Sequence, residues 1–187
     1  PISKKKTHVI EIHAGQITTT DLTISLPPTL NFEPFGGYSK IAAVERHHNT
    51  GKIGVAVAKG YGIRNGAVAS SVSHDSHNII VIGDNDADMA IAVNEIIRTQ
   101  GGYTVVENGK VYETLALPIM GLMSDAGFEN VNEALQRMIQ KAHQMGVASK
   151  IDPFVTLSFL ALPVIPELRI TPRGICKMTA KGPAILS

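Results

Sequence analysis

The sequence predicts an α+β domain: a largely antiparallel sheet built from hairpins, two main helices packed on it, and a short β segment at the N-terminus. Three observations predict it. Asn65-Gly66 and Asn108-Gly109 separate short apolar runs, and Asn-Gly favours tight hairpins because both residues tolerate positive φ. Two longer stretches, 85–99 and 128–145, carry an apolar stripe at helical spacing. Asn78-Ile79-Ile80-Val81-Ile82-Gly83 is apolar throughout, as expected of a strand covered on both faces, so helices must lie on the sheet.

Taken in order, the first 26 residues place Val9, Ile12, Ile17, Leu22, Ile24 and Leu26 among polar and threonine positions. That alternation predicts two short strands around a Gly15-Gln16 turn. Pro27-Pro28 through Pro34-Phe35-Gly36-Gly37 is a linker by composition, because prolines remove donors and paired glycines turn. A boundary near residue 35 gives an N-terminal β segment, 1–30, and a main domain, 36–187. From Ser39 to Asp84 turn residues interrupt apolar runs at 48–51, 60–62, 65–66 and 75–76, an antiparallel meander. The first helix, Asn85 to Thr99, aligns Met89, Ala92, Val93, Ile96 and Ile97, opens with Asp86 and Asp88, and stops at Gly101-Gly102. The second, Phe128 to Met145, aligns Val131, Leu135, Met138, Ile139 and Ala142 and stops at Gly146. Between them, Tyr103–Glu107 and Lys110–Leu115 flank Asn108-Gly109 as a hairpin. Phe154 to Leu162 is nearly continuously apolar, and periodicity does not separate a buried strand from a short buried helix. The tail from Leu168 to Met178 is expected to be extended.

Composition bounds the function. The 187 residues suffice for one main domain. With 17 Lys plus Arg against 16 Asp plus Glu the net charge is +1, which gives no electrostatic case for nucleic acid or a membrane as partner. Charged residues make up 18% and apolar ones 44%, excluding a disordered chain or a coiled coil. A low charged fraction with mean hydropathy +0.11 hints that part of the surface is covered by a subunit or further chain. Cys176 is the single cysteine, so no disulfide framework forms within the chain and a reducing, cytoplasmic location is expected. The basic start, Pro1 to Lys6, is not followed by the apolar run of a signal peptide, and 18 apolar residues in a row occur nowhere. A first residue that is Pro fits either initiator removal or a fragment of something longer.

The stretch richest in chemistry is Ser70 to Asn78. If Asp75-Ser76 is a tight turn, His74 and His77 are its outer positions and their side chains leave one face. Two imidazoles, the Asp75 carboxylate, the Ser76 hydroxyl and the Asn78 amide then converge, suited to a metal or a substrate. The plainer alternative is that Asp75, Ser76 and Asn78 form the turn while the histidines bond backbone carbonyls. Asp84, Asp86, Asp88 and Glu95 imitate a calcium loop, but Met89 stands where that loop needs glycine, and acids at a helix start are explained by its dipole. Arg46-His47-His48 is a second polar cluster, equally consistent with a solvated hairpin rim. Gly60-Tyr61-Gly62 with Gly66 lacks dinucleotide spacing, and neither a phosphate loop nor a nucleophile elbow is present. Cys176 has no histidine near it in sequence, and Met120, Met123, Met138 and Met145 read as core fillers.

Four blocks in register resemble one family: Arg46-His47-His48 with Gly51 to Gly54; Gly66 through Ser70-Ser71-Val72-Ser73-His74-Asp75-Ser76-His77-Asn78; Leu117-Pro118-Ile119-Met120-Gly121-Leu122-Met123-Ser124-Asp125; and Asp152-Pro153-Phe154 through Leu168. They resemble the C-terminal domain of bacterial adenine deaminases over about Ile41 to Gly174, and residues 7–26 resemble the strands ending the small β-domain of such enzymes. The resemblance implies hydrolysis of adenine to hypoxanthine and ammonia in purine salvage, by an amidohydrolase-superfamily enzyme with a two-metal site of manganese or iron. It also implies a departure. The His-x-His motif and later ligands of the metal-binding barrel are absent, since Ile12-His13-Ala14 and Arg46-His47-His48 are not that motif. The barrel has either been cut away or resides on another chain.

On this resemblance His74, Asp75, Ser76, His77 and Asn78 are the family's polar loop, expected to face the barrel mouth and help enclose the purine. No catalytic residue is assigned in this chain, and no cofactor is expected for it alone. His74 and His77 are the candidate ligands if it binds metal directly. The expected partners are the missing N-terminal barrel, adenine in the intact enzyme and further copies of the chain in a homo-oligomer. Two other readings stand beside the enzyme fragment: a non-catalytic module that covers the active site or builds the oligomer, and a stand-alone metal-dependent hydrolase centred on His74 and His77.

Overall fold

A computed structural model describes residues 6–25, 32 and 35–186. Most of the proline-rich linker, 26–31 and 33–34, lies outside the described residues. Among the described residues are eleven strands and three helices. In chain order the strands of the large sheet are β1 (Lys6–Ile12), β2 (Thr19–Ser25), β3 (Tyr38–Val44), β4 (Ile53–Lys59), β5 (Gly66–Ser70), β6 (Ile79–Gly83), β7 (Gly102–Glu107) and β8 (Lys110–Ala116). The helices are α1 (Asp86–Arg98), α2 (Phe128–Gln144) and α3 (Pro153–Leu160), and β9 (Leu168–Thr171), β10 (Gly174–Thr179) and β11 (Gly182–Ile185) follow. The α+β class is as the sequence predicts.

The large sheet has eight strands in the order β2-β1-β4-β3-β6-β5-β7-β8. Hairpins form at several turns the sequence marks: β1 pairs β2 across Gly15-Gln16, β3 pairs β4, and β7 pairs β8 across Asn108-Gly109, whereas Asn65-Gly66 joins β4 to β5, which are not neighbours in the sheet. The stretch 39–84 is not the simple meander expected. β3 sits between β4 and β6, and β5 lies beyond β6. β1 pairs β4 in parallel, Val9 opposite Val57, so hydrogen bonding is continuous from the N-terminal segment into the main sheet.

Every residue of β6 is buried, because both faces of the sheet are covered. α1 presents Met89, Ala92 and Ile96 to Ala67, Ala69, Ile79, Val81 and Val106 on one face. On the other, Met138 of α2 and Leu157 of α3 join Ile10, Ile41, Ile80, Ile82 and Val105. Asn85 caps α1 by accepting from the Asp88 amide, and Asp88 in turn accepts from Gly109 N at 2.7 Å. Asp86 pairs with Lys40 at 2.7 Å. The acidic run that imitates a calcium loop is thereby occupied in capping and bridging.

The ambiguous stretch after Asp152 is a helix. Asp152 accepts from the Phe154 and Val155 amides at 2.9 and 2.8 Å with Pro153 in the first turn, an arrangement that fixes a helix start. The tail is extended as expected, but it forms a separate three-stranded sheet, β11-β10-β9, packed on β4. Gly54 makes that packing possible, since a Cβ there would overlap the Thr171 carbonyl.

A buried arginine fastens the N-terminal hairpin. Arg169 is fully buried and donates to Thr19 Oγ1 (2.8 Å), Leu168 O (2.7 Å), Ile17 O (2.6 Å) and Pro166 O (3.1 Å). Asp21 on β2 adds a second tie by pairing with His8 and with Lys177 of β10, each at 2.7 Å.

Candidate functional site

The loop between β5 and β6 is held at one rim of the sheet by two neighbours and by its own internal bonds. From α3, the Ser158 carbonyl accepts from the His74 amide at 3.2 Å. Within the loop, the His77 amide donates to Ser73 O at 2.7 Å, Ser73 Oγ donates to Asn78 O at 2.7 Å, and Asn78 Nδ2 donates to Ser76 Oγ at 3.0 Å. From the β3–β4 side, the Arg46 amide donates to Asn78 Oδ1 at 3.2 Å and His47 Nε2 donates to Ser76 O at 2.6 Å.

The five residues singled out in the sequence do come together. The His74 and His77 rings stand 5.7 Å apart and His74 lies 5.3 Å from the Phe159 ring. His74 Nδ1 is 3.6 Å from Asp75 Oδ1, beyond a good hydrogen bond. Asp75 and Ser76 are exposed, His74 and His77 half-buried, and Asn78 buried. Ser76 and Asn78 thus serve in part to build the turn, as the plainer reading expects, whereas among the described residues the His74 and His77 rings are not bonded to backbone carbonyls. His77 Nδ1 is buried without a hydrogen-bond partner among the described residues, as is Ser158 Oγ under the same loop. Buried polar atoms are nearly always paired, so this imidazole nitrogen is an exception that the described residues leave unsatisfied. Burial, with smaller contributions from His74 and Arg46, lowers the pKa of His77. The ring is therefore neutral at physiological pH and able to accept as well as donate.

Arg46, expected on a solvated hairpin rim, is drawn partly into the protein. It is half-buried while His47 and His48 are exposed, and its guanidinium donates Nε to His77 O at 2.5 Å and Nη2 to Met120 O at 2.9 Å. Glu45 shapes the neighbouring turn by accepting from Thr50, His48 and His47. Those bonds, the Thr50 amide first, hold its carboxyl at about 2. The 117–123 segment also departs from expectation. Met138 and Met145 fill the core, but Met120 is 75% and Met123 51% exposed. Met120 holds φ 58 in a turn whose Ile119 and Met123 bond each other, which carries its side chain outward.

The residues present do not fit a metal centre. Among the described residues no group of three or more His, Cys, Asp or Glu is placed to hold an ion, and structural sites need three or four such donors. Cys176 is buried and burial pushes its thiol up, away from thiolate chemistry. Among the described residues no helix is long and apolar enough to cross a membrane.

A family model described as the adenine deaminase C-terminal domain matches residues 16–181. Adenine deaminase of Desulfitobacterium hafniense (strain Y51) is 50% identical over 168 residues, covering 89% of this chain and 30% of that protein. Adenine deaminase of Clostridium acetobutylicum is 53% identical over 140 residues, 74% of this chain and 25% of that protein. That of Bacillus subtilis (strain 168) is 42% identical over 175 residues, 92% and 30% respectively. The chain spans about three tenths of the length of the curated relatives it matches. With the family model covering most of its length, the chain belongs to the adenine deaminase C-terminal domain family.

Proposed function

We propose that this chain is the C-terminal part of an enzyme that hydrolyses adenine to hypoxanthine and ammonia, and that its His74–Asn78 loop helps enclose the purine. The observation that supports the second half is the pair of half-buried imidazole rings, His74 and His77, 5.7 Å apart in one loop. A neutral imidazole there both accepts from and donates to a heterocycle edge, which a purine with ring nitrogens and an exocyclic amine presents. The relatives' names and the length they carry beyond this chain support the first half. Since the donors among the described residues do not fit a metal centre, the manganese or iron that goes with this reading is assigned to a barrel outside residues 1–187. We assign residues 1–30 to the end of the small β-domain adjoining that barrel. The wider setting is a cytoplasmic, homo-oligomeric amidohydrolase of purine salvage.

The test is adenine turnover by the full-length protein with His74→Ala or His77→Ala. Each is expected to lower kcat/KM for adenine by about tenfold or more, the scale of one lost polar contact to a desolvated substrate. Unchanged turnover and unchanged KM in both variants would remove the loop from the site.

A further inference from the structure

The surroundings of Arg46 carry a second assignment, which rests on the reading of the loop given above. Two non-glycine residues whose carbonyls Arg46 reaches, His77 and Met120, sit in the left-handed backbone region at φ 49 and φ 58. Side chains rarely adopt that conformation, at a cost of about 1–2 kcal/mol each, and it persists only where surrounding contacts over-determine it. Arg46 is a contact that both share. Its Nε–H donates to the carbonyl of His77 and its Nη2–H to the carbonyl of Met120, while its own amide holds the Asn78 side chain at the end of the loop. Among the described residues no carboxylate bridges it, so the fork is committed to these backbone acceptors.

The guanidinium also occupies a space reserved for it. A Cβ on Gly121, itself at φ 76, would meet Arg46 Nη1 at 2.7 Å and Nη2 at 2.8 Å, closer than side-chain atoms approach. Ser71 holds the same turn from behind by donating to Gly121 O at 2.6 Å and accepting from Gly102 N at 2.8 Å. Planar, always charged and forked, Arg meets the two carbonyls with two separate, rigidly spaced nitrogens, where Lys has only one.

We infer that Arg46 is the positioning residue of the substrate loop: seated under Gly121, it locks His77 and Met120 into one surface that meets the purine, without touching the purine itself. The carbonyl bonds decide which way the His77 ring and the exposed Met120 side chain face, so Arg46 acts on the substrate through them.

A double-mutant cycle in the full-length protein tests this, reading kcat/KM for adenine in Arg46→Ala, His77→Ala and the pair. Misplacement by an ångström costs on the order of 10–100-fold, and Arg46→Ala is expected to show a loss of about tenfold or more on that scale. Added to His77→Ala, the same change is expected to cost less than about threefold further, because residues that act as a unit are non-additive. A general weakening of the fold would not depend on His77. Arg46→Lys, which keeps the charge but offers one nitrogen in place of the fork, is expected to fall between wild type and Arg46→Ala, and it carries the cycle if Arg46→Ala does not fold. Independent, multiplying losses would overturn the assignment, as would normal kcat/KM in the Arg46 variants alongside a defective His77→Ala. Normal turnover in both His74→Ala and His77→Ala would instead refute the reading of the loop, and this inference with it.

Discussion

Two arginines divide the molecule. Arg46 and Arg169 both lie in the protein without a carboxylate partner among the described residues, both bond backbone carbonyls, and burial lowers the pKa of both, Arg169 to about 10. Their settings differ. Arg169 is fully enclosed and joins two segments, the Ile17–Thr19 turn and the start of β9. Arg46 is half-buried at an open rim, and its acceptors are residues in uncommon backbone conformations next to an imidazole with an unpaired nitrogen. The same chemical group serves architecture in one place and orientation in the other. What separates the two is whether the acceptors lie in a closed seam or beneath a surface open to a ligand.

The largest effect that sharpens the contrast is expected at the seam. Arg169→Met strips charged donors from Ile17 O and Thr19, and hydrogen bonds to charged groups contribute about 1.5–3 kcal/mol each. The chain is expected to lose roughly 3 kcal/mol or more by urea unfolding, a fall in Tm of about 6–12 °C for a domain of this size. Arg46→Ala, with its side chain partly solvated already, is expected to lose about 1–2 kcal/mol on the same measurement. Equal losses at the two positions would break the comparison.

The smallest effect concerns acid. Burial acts to raise the pKa of Asp21, but the hydrogen bonds from His8 and Lys177 outweigh it and leave the carboxyl below its ordinary 3.8. A carboxyl depressed by folding stabilises the fold above its unfolded value and loses that contribution as pH falls through its folded value. The tie between the N-terminal hairpin and β10 is therefore complete above about pH 4 and weakens below it. His8 and Lys177 are each more than a third exposed, so the contribution is expected to stay under about 1 kcal/mol. Unfolding of wild type and Asp21→Asn at pH 7 and pH 3 reads it: the gap between them is expected at pH 7 and to narrow at pH 3. A gap that widens at pH 3 contradicts the sign.

Local signals carried a large part of this structure. Gly15-Gln16 and Asn108-Gly109 mark real hairpins because turn chemistry acts within four residues, and the stripes of α1 and α2 match their buried faces at Met89, Ala92, Ile96, Met138 and Ala142. Strand order was not legible. Whether β3 lies beside β6, or β1 beside β4 in parallel, depends on pairings distant in the chain that no local pattern encodes. The Phe154–Leu160 helix was decided by the Asp152 cap and Pro153, since its apolar run fits either period. In the site, the spacing of His74 and His77 around Asp75-Ser76 foretold their approach. Arg46 and Arg169 were hidden for one reason: a long side chain is buried by acceptors far away, such as Ile17, 152 residues from Arg169. Met120 and Met123 were misjudged as core because composition does not show that a positive-φ turn points outward.

The central claim is that the His74–Asn78 loop, held by Arg46, meets the purine. The most direct measurement is a crystal structure of the full-length protein with hypoxanthine or a non-hydrolysed adenine analogue bound. The account predicts an imidazole nitrogen of His74 or His77 at hydrogen-bond distance, about 3 Å, from a ligand nitrogen or oxygen, directly or through one water. A purine bound with this loop more than about 10 Å away, beyond even a water bridge, would contradict it.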